Sequence, residues 1–398
     1  MSLFFTLGLA LAASQSVLGA HPSRLGQELR FTANGTFQLA VFEDLHFGEA
    51  EDTDWGPQQD VNSTRVMNTV LDSEHPQLVV INGDLITGEN TYKGNSTHYV
   101  DAIVQPLLNR SLLWASTYGN HDSDFNLSRQ HILAREKAWD SSLTRQDVNT
   151  STSGVSNYYL PVYSSNATIH VPKLLLWFFD SRGGNYYQQL DSSGNEVSQA
   201  NWVDQTVVDW FTSTRAELYT KYGQDVPSLA FVHIPVNAML AFQQGPGVQS
   251  HYEPGINDDD PLAQEGYAEG QGDVTGTVSK YAGQDIPFMQ ALLDTAGLMA
   301  VFSGHDHGDD WCFKWNSTLP GMNLTGNGLD LCFGRHTGYG GYGSWTRGSR
   351  QILVTEKLLK KRTVETWVRL ETGETSGRVT LNGTYGRDYY PAVADTNT

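Results

Sequence analysis

The chain is short of cysteine, of positive charge and of charge altogether. Its 398 residues include two cysteines, 25 Lys or Arg and 44 Asp or Glu, giving a net charge of -19. Charged residues make up 17%, against about 25% in an average globular protein. Two cysteines cannot form a disulfide scaffold. The deficit of basic residues excludes a stable nucleic-acid partner, which needs a basic face. After the first few residues no apolar run approaches the length of a membrane span, and the end at Thr398 is too polar for a lipid-anchor signal. Hydrophobic residues at 39% and aromatics at 11% exclude a disordered chain. The length is ample for a large core.

An apolar run does stand at the N-terminus, from Leu3 to Ala13, followed by small residues at Val17, Gly19 and Ala20. Its length and flanks predict a cleaved signal peptide over 1–20, leaving 21–398 as a single domain. Ten Asn-x-Ser/Thr sequons point the same way: Asn34, Asn62, Asn95, Asn109, Asn126, Asn149, Asn166, Asn316, Asn323 and Asn382. Such sites imply exposed surface on a secreted glycoprotein. The compartment is extracellular, cell wall or vacuole, all reached through the same signal. An oxidising route predicts that Cys312 and Cys332 pair, closing a loop worth about 3 kcal/mol. The two sequons between them predict a surface excursion.

Apolar runs and helical patterns alternate. Strand-like runs end at Asp44, Asp84, Asn120, Asp180, His233 and near His305. Several are continuously hydrophobic, as strands covered on both faces are. Helical spacing marks 61–74, 129–139, 201–222 and 284–296. This predicts an α/β protein with mostly parallel central strands. Short strands at 351–355, 364–370 and 378–381 complete a second sheet. The stretch 245–283 is polar and Gly-rich and reads as a long loop.

Five short words fall at or beside those strand ends: Asp44-Leu45-His46, Gly83-Asp84, Gly119-Asn120-His121-Asp122, His233 and Gly304-His305-Asp306-His307. Singly each is weak. Together they carry carboxylate, imidazole and amide to the carboxyl ends of strands, where open α/β sheets bind ligands. Imidazole and carboxylate suit Zn, Fe and Mn, and a carboxylate bridges two ions.

In kind and order the words resemble those of the calcineurin-like metallophosphoesterase family, over about Phe37 to Thr355. The stretch Leu331 to Gly340 is similar to a fungal subgroup labelled purple-acid-phosphatase-like or phosphoserine/threonine phosphatase. The resemblance implies an α/β/β/α sandwich, two packed mixed β-sheets flanked by helices. It implies two divalent or mixed-valence ions, Fe, Zn or Mn. Asp44, His46 and His307 would hold one ion, Asn120, His233 and His305 the other, and Asp84 would bridge. His121 would be catalytic, with Asp122 orienting it. Purple acid phosphatases carry a tyrosine three residues after the bridging aspartate. Thr87 stands there, which argues against an iron–tyrosinate centre.

These expectations describe a metal-dependent phosphoesterase acting on phosphate monoesters. A phosphodiesterase with the same core, or a secreted binding protein that has kept the fold, are the alternatives. The oligomeric state is left open. Arg335 and His336, beside the Gly-rich run from Gly334 to Gly343, are candidate substrate contacts, because guanidinium matches phosphate geometry. That run lacks the Gly-Lys-Ser/Thr element of a P-loop. Arg182, Gly183 and Gly184 are weaker candidates for the same crevice. His251 and Asp258 to Asp260 read as solvated loop.

Overall fold

The computed structural model describes residues 28–263 and 283–394. The segment expected to be a signal peptide, and part of the long loop, lie outside these.

The chain runs through β1 (Leu29–Arg30), β2 (Thr36–Phe42), α1 (Gly56–Ser73), β3 (Leu78–Asn82), α2 (Lys93–Leu108), β4 (Trp114–Thr117) and α3 (Arg129–Glu136). It continues through β5 (Tyr158–Tyr163), β6 (Leu174–Phe179), β7 (Asn185–Leu190), β8 (Glu196–Ser198), α4 (Gln205–Tyr222), β9 (Ser228–Val232) and α5 (Asn237–Gln243). It ends with α6 (Ile286–Leu293), β10 (Leu298–Ser303), β11 (Cys312–Trp315), β12 (Leu329–Phe333), β13 (Gly348–Thr355), β14 (Val364–Leu370) and β15 (Thr375–Leu381). Among the described residues no helix is long and apolar enough to cross a membrane.

Two mixed sheets carry the fold. One has seven strands in the order β1-β5-β6-β9-β10-β12-β11, the other six in the order β15-β14-β13-β2-β3-β4. Pairing is parallel along β2-β3-β4 and along β6-β9-β10-β12. The expected parallel strands are therefore shared between the sheets. The late strands β13 to β15 extend the sheet of β2 by antiparallel pairing.

The continuous apolar runs follow from this layering. Along β2, Leu39 and Val41 point into the space between the sheets, while Ala40 and Phe42 meet the helices outside. Both sets are buried, so the period of two is hidden in the sequence. Leu176, Phe178, Leu229, Phe231, Ala300 and Phe302 fill the inter-sheet space from the other side. Helices α1, α2 and α3 cover one outer face through Val66, Val70, Ile103 and Leu133. Helices α4 and α6 cover the other through Val207, Phe211, Phe288 and Met289. Each fully buried large side chain contributes about 1.5–3 kcal/mol of transfer free energy. Helix α4 shows ordinary local logic: Asp204 caps its first turn through Thr206 N, and Gly223 ends it at φ 67°.

Cys312 and Cys332 form a disulfide between directly opposed residues of β11 and β12. The sulfurs sit in the inter-sheet core, where the residues are 2% and 0% exposed. The excursion lies between them, with Asn316 and Asn323 exposed.

Candidate metal centre

Parallel strands end at one edge, and the five words lie there. Asp44 and His46 follow β2, Asp84 follows β3, and Asn120 and His121 follow β4. From the other sheet, His233 follows β9, and His305 and His307 follow β10. The chain turns sharply at each exit. Asp44, His46, Asp84 and His305 all have left-handed backbone, with φ of 52°, 48°, 49° and 79°. That conformation is costly for side chains with a Cβ, and the surroundings must enforce it. Here the enforcement is visible. Leu45 N and His46 N both donate to Asp84 O, at 2.8 and 3.0 Å, and Gly304 N donates to His233 O at 2.9 Å. Glycine is needed where these turns stack on the site. A Cβ on Gly83 would come within 2.3 Å of the His233 ring, and one on Gly119 within 2.3 Å of Asp84 Oδ1.

The side chains converge as overlapping groups, one of which joins His46, Asp84 and His121 and links the other two. Asp44, His46 and His307 bring one donor atom each to within 4.8 Å of one another, and so do Asp84, His233 and His305. In the first group, His46 Nε2 faces His307 Nε2 at 3.2 Å, and His307 Nε2 is 3.6 Å from Asp44 Oδ1. In the second, His233 Nε2 lies 2.9 Å from Asp84 Oδ2. Asp84 Oδ2 is also 3.8 Å from His46 Nε2, so this carboxylate stands between the groups. Asn120 Oδ1 is buried without a hydrogen-bond partner among the described residues. His121 N, the next amide, donates to Asp84 Oδ1 at 2.8 Å.

Outer contacts fix the rings. His233 Nδ1 donates to Asn82 O at 2.8 Å, and His307 Nδ1 to Tyr342 O at 3.0 Å. A carbonyl only accepts, so each Nδ1 carries a proton and Nε2 is the nitrogen turned inward, where a cation would take the place of any second proton. Thr87 Oγ1 lies 3.4 Å from His46 Nδ1, so the residue in the tyrosine's place supports an imidazole.

Burial and mutual repulsion set the charges. Burial, with His121 beside it, pushes His46 down to about 3, and burial with His233 does the same for His305. Both rings are therefore neutral and ready to donate. His233 behaves oppositely: burial opposes its charge, but Asp84 outweighs it and raises the ring to about 10. Burial raises Asp84, and the surrounding imidazoles, His233 foremost, more than compensate and hold it well below the carboxylate range. An orphaned buried acceptor, opposed imidazole lone pairs and a central carboxylate fit a pair of Zn, Fe or Mn ions.

His121 does not pair with Asp122. The Asp122 carboxylate is buried and accepts three backbone amides: Leu85 N at 2.8 Å, Ile86 N at 3.1 Å and Gly119 N at 2.8 Å. It ties the exits of β3 and β4 together. The carboxylate at His121 is Glu89, with Oε1 2.6 Å from Nδ1. The oxygen lies off the N–H line, so the contact is a close ion pair rather than an aligned hydrogen bond. Burial opposes charge on His121, but Asp84 and Glu89 raise it to about 9.

Arg335 and His336 face inward rather than into a crevice. Arg335 is 1% exposed, pairing with Asp310 at 2.9 Å and donating to Thr346 O. His336 is equally buried, its Nε2 3.1 Å from Gly340 O and its ring 3.8 Å from that of His307. It backs a member of the donor cluster. Arg182 is likewise engaged, with Asp204 at 3.3 Å. The Gly-rich loop does reach the site. A Cβ on Gly341 would come within 2.3 Å of His307 Cε1, and Tyr342 stacks on His307 at 4.1 Å. Asp258 and Asp259 are not merely solvated, since they accept from Trp345 Nε1 and Tyr342 OH.

A mixed two-sheet sandwich with imidazole and carboxylate at its strand ends defines a class, the dinuclear metallophosphoesterases. A model of the calcineurin-like phosphoesterase family matches residues 38–309. The chain belongs to that family. It is 30% identical over 364 residues to the phosphatase DCR2 of Saccharomyces cerevisiae, covering 89% of this chain and 57% of that protein. It thus spans little more than half of that relative. It is 26% identical to a protein of Arabidopsis thaliana named probable inactive purple acid phosphatase 29, covering 87% of this chain and 85% of that one. A dimetal phosphatase structure from Danio rerio superposes with TM-score 0.50 at 12% identity, over 87% of this chain and 98% of that one, a likeness of fold.

Proposed function

We propose that this chain is a secreted, dinuclear metal-dependent hydrolase of phosphate monoesters. The observation that carries the reading is the convergence of Asp44, His46, Asp84, His233, His305 and His307 at one edge, with His121 beside them. Asp44, His46 and His307 would hold one ion, Asn120, His233 and His305 the other, and Asp84 both. Such a pair supplies Lewis acidity toward phosphoryl oxygens and acidifies water near neutral pH.

The protein's own groups do the rest. The Nδ1 contacts of His233 and His307 keep their Nε2 atoms aimed inward. His121 stands 4.9 Å from His46 between ring centroids, at the rim rather than in the interior. Water oxygen adds to phosphorus in line with the leaving oxygen and gives up one proton to solvent. The bond from phosphorus to that oxygen breaks, its electron pair stays on the oxygen, and His121 Nε2 supplies the proton. Among the described residues Arg129, Arg182, Arg335 and Arg347 all have internal partners, and the phosphate contacts proposed are the metal pair and His121.

Secretion is supported by the disulfide and by the sequons. Seven of the ten asparagines are exposed, and Asn62, Asn95 and Asn382 are partly so. The deciding experiment is metal analysis by mass spectrometry with parallel assays of p-nitrophenyl and bis-p-nitrophenyl phosphate. Two ions per chain and preference for the monoester are expected. Preference for the diester overturns the substrate class. Protein supplied with Zn, Mn and Fe that turns over neither overturns the enzyme reading and favours a binding protein.

A further inference from the structure

We propose that Glu89 is the positioning residue of His121, holding Nδ1 so that Nε2 delivers its proton to the leaving oxygen. The proposal rests on the catalytic role given to His121 above.

Three observations carry it. First, Glu89 is the carboxylate in contact with the ring, at 2.6 Å, while both oxygens of Asp122 are taken by backbone amides. Second, the backbone before Glu89 is clamped to the backbone of His121. Gly88 N donates to His121 O at 2.8 Å, and a Cβ on Gly88 would come within 2.5 Å of that oxygen. Thr87 N, one residue back, donates to Phe47 O at 3.0 Å. The turn after β3 thus carries Asp84 at one end and Glu89 at the other, joining metal ligand and proton donor in one rigid segment. Third, the Glu89 side chain has no competing structural duty. It is 49% exposed and makes no other ion pair or hydrogen bond among the described residues.

The chemistry follows from the two ring nitrogens. With Nδ1–H held by the carboxylate, the transferable proton is on Nε2. When the leaving oxygen takes that proton, the Nε2 electron pair stays on the ring. The imidazole becomes neutral and keeps Nδ1–H toward Glu89, and solvent later restores the Nε2 proton. A neutral amide at position 89 removes the charge that favours this arrangement. The penalty then grows with the leaving group's need for a proton. Apo contacts of this kind are commonly loose and tighten with substrate bound, in keeping with the off-line geometry.

The test compares wild type with Glu89→Gln and Glu89→Asp on aryl phosphates of graded leaving-group acidity. Glu89→Gln is expected to lower kcat on phenyl phosphate by about 10–100-fold. On 2,4-dinitrophenyl phosphate, which leaves unaided, the loss is expected to stay within about threefold, with KM within about twofold. Glu89→Asp should restore part of the loss. Metal content and melting temperature should match wild type. An equal loss on every substrate, or none, overturns the proposal. A second readout needs no turnover: in metal-free protein the ring-nitrogen resonances of His121 should move in Glu89→Gln. Unmoved resonances overturn the proposal as well. If the wild type turns over no phosphoester, the reading of function falls, and the resonances alone decide whether Glu89 holds the ring.

Discussion

The space between the sheets and the centre of the cluster at the strand ends are both dry and built from opposite materials. Leu39, Val80, Phe231 and Phe302 are 0% exposed in the first, and Asp84 and His233 are 1% and 0% exposed in the second. The first consists of aliphatic and aromatic groups on ordinary extended backbone. The second concentrates charge and imidazole on left-handed turns. The difference teaches what burial is for in each place. Between the sheets it supplies stability through packing, which depends on volume. At the strand ends it removes water from groups that ionise, which is expensive unless a partner neutralises them. One region makes the fold possible and the other spends part of that stability.

Substitutions should divide along this line. Asp84→Ala strikes both donor groups at once, and its expected result is the largest: no bound metal by mass spectrometry and no detectable turnover, with far-ultraviolet circular dichroism intact. His121→Ala should keep both ions and lose about 10²–10⁴ in kcat; full activity at normal metal content would remove His121 from the mechanism. In the core, Phe231→Ala should cost about 3–5 kcal/mol in urea unfolding, and the folded fraction should bind metal normally. Replacing Cys312 and Cys332 together by serine should cost about 3 kcal/mol, again without change in metal content. A core variant that lost metal before it lost stability would break the comparison.

The smallest effect concerns a carboxylate in neither region. Asp60 accepts Gly48 N at 3.2 Å, and burial holds it up to about 7. An unfolded aspartate titrates near 3.9. The folded state therefore binds the proton more tightly, and the stability this gives is full below about 4 and lost as pH rises through about 7. Asp60→Asn should make the urea midpoint less dependent on pH between 5 and 8. A pH dependence as steep as wild type would assign the slope to other groups.

Much of this could be read before the structure. The six strand-like runs correspond to β2, β3, β4, β6, β9 and β10, because strands buried on both faces are conspicuous. The word order pointed to seven candidate donors, and the structure brings all seven to strand ends. What escaped lacked periodic or chemical signal. Helix α2 begins with polar Lys93, Gly94 and Asn95 and carries Pro106 inside, so its apolar stripe is short. Strand β5 contains Pro161. Glu89 is a lone acid in a turn, five residues from Asp84, and no spacing rule marks it. Arg335 misled because guanidinium beside glycine looks like an anion site, whereas Asp310 had already claimed it. The Asp309-Asp310 pair was the available sign.

The left-handed turns have an evolutionary and practical corollary. At Asp44, His46, Asp84 and His305 the backbone would be easier for glycine or asparagine than for the residues present. Selection for heat resistance alone, blind to turnover, would therefore be drawn to these four positions first. Its survivors would be sturdier proteins without the donor cluster. Libraries built to toughen this scaffold should hold these four codons fixed and seek their gains in the layers behind them.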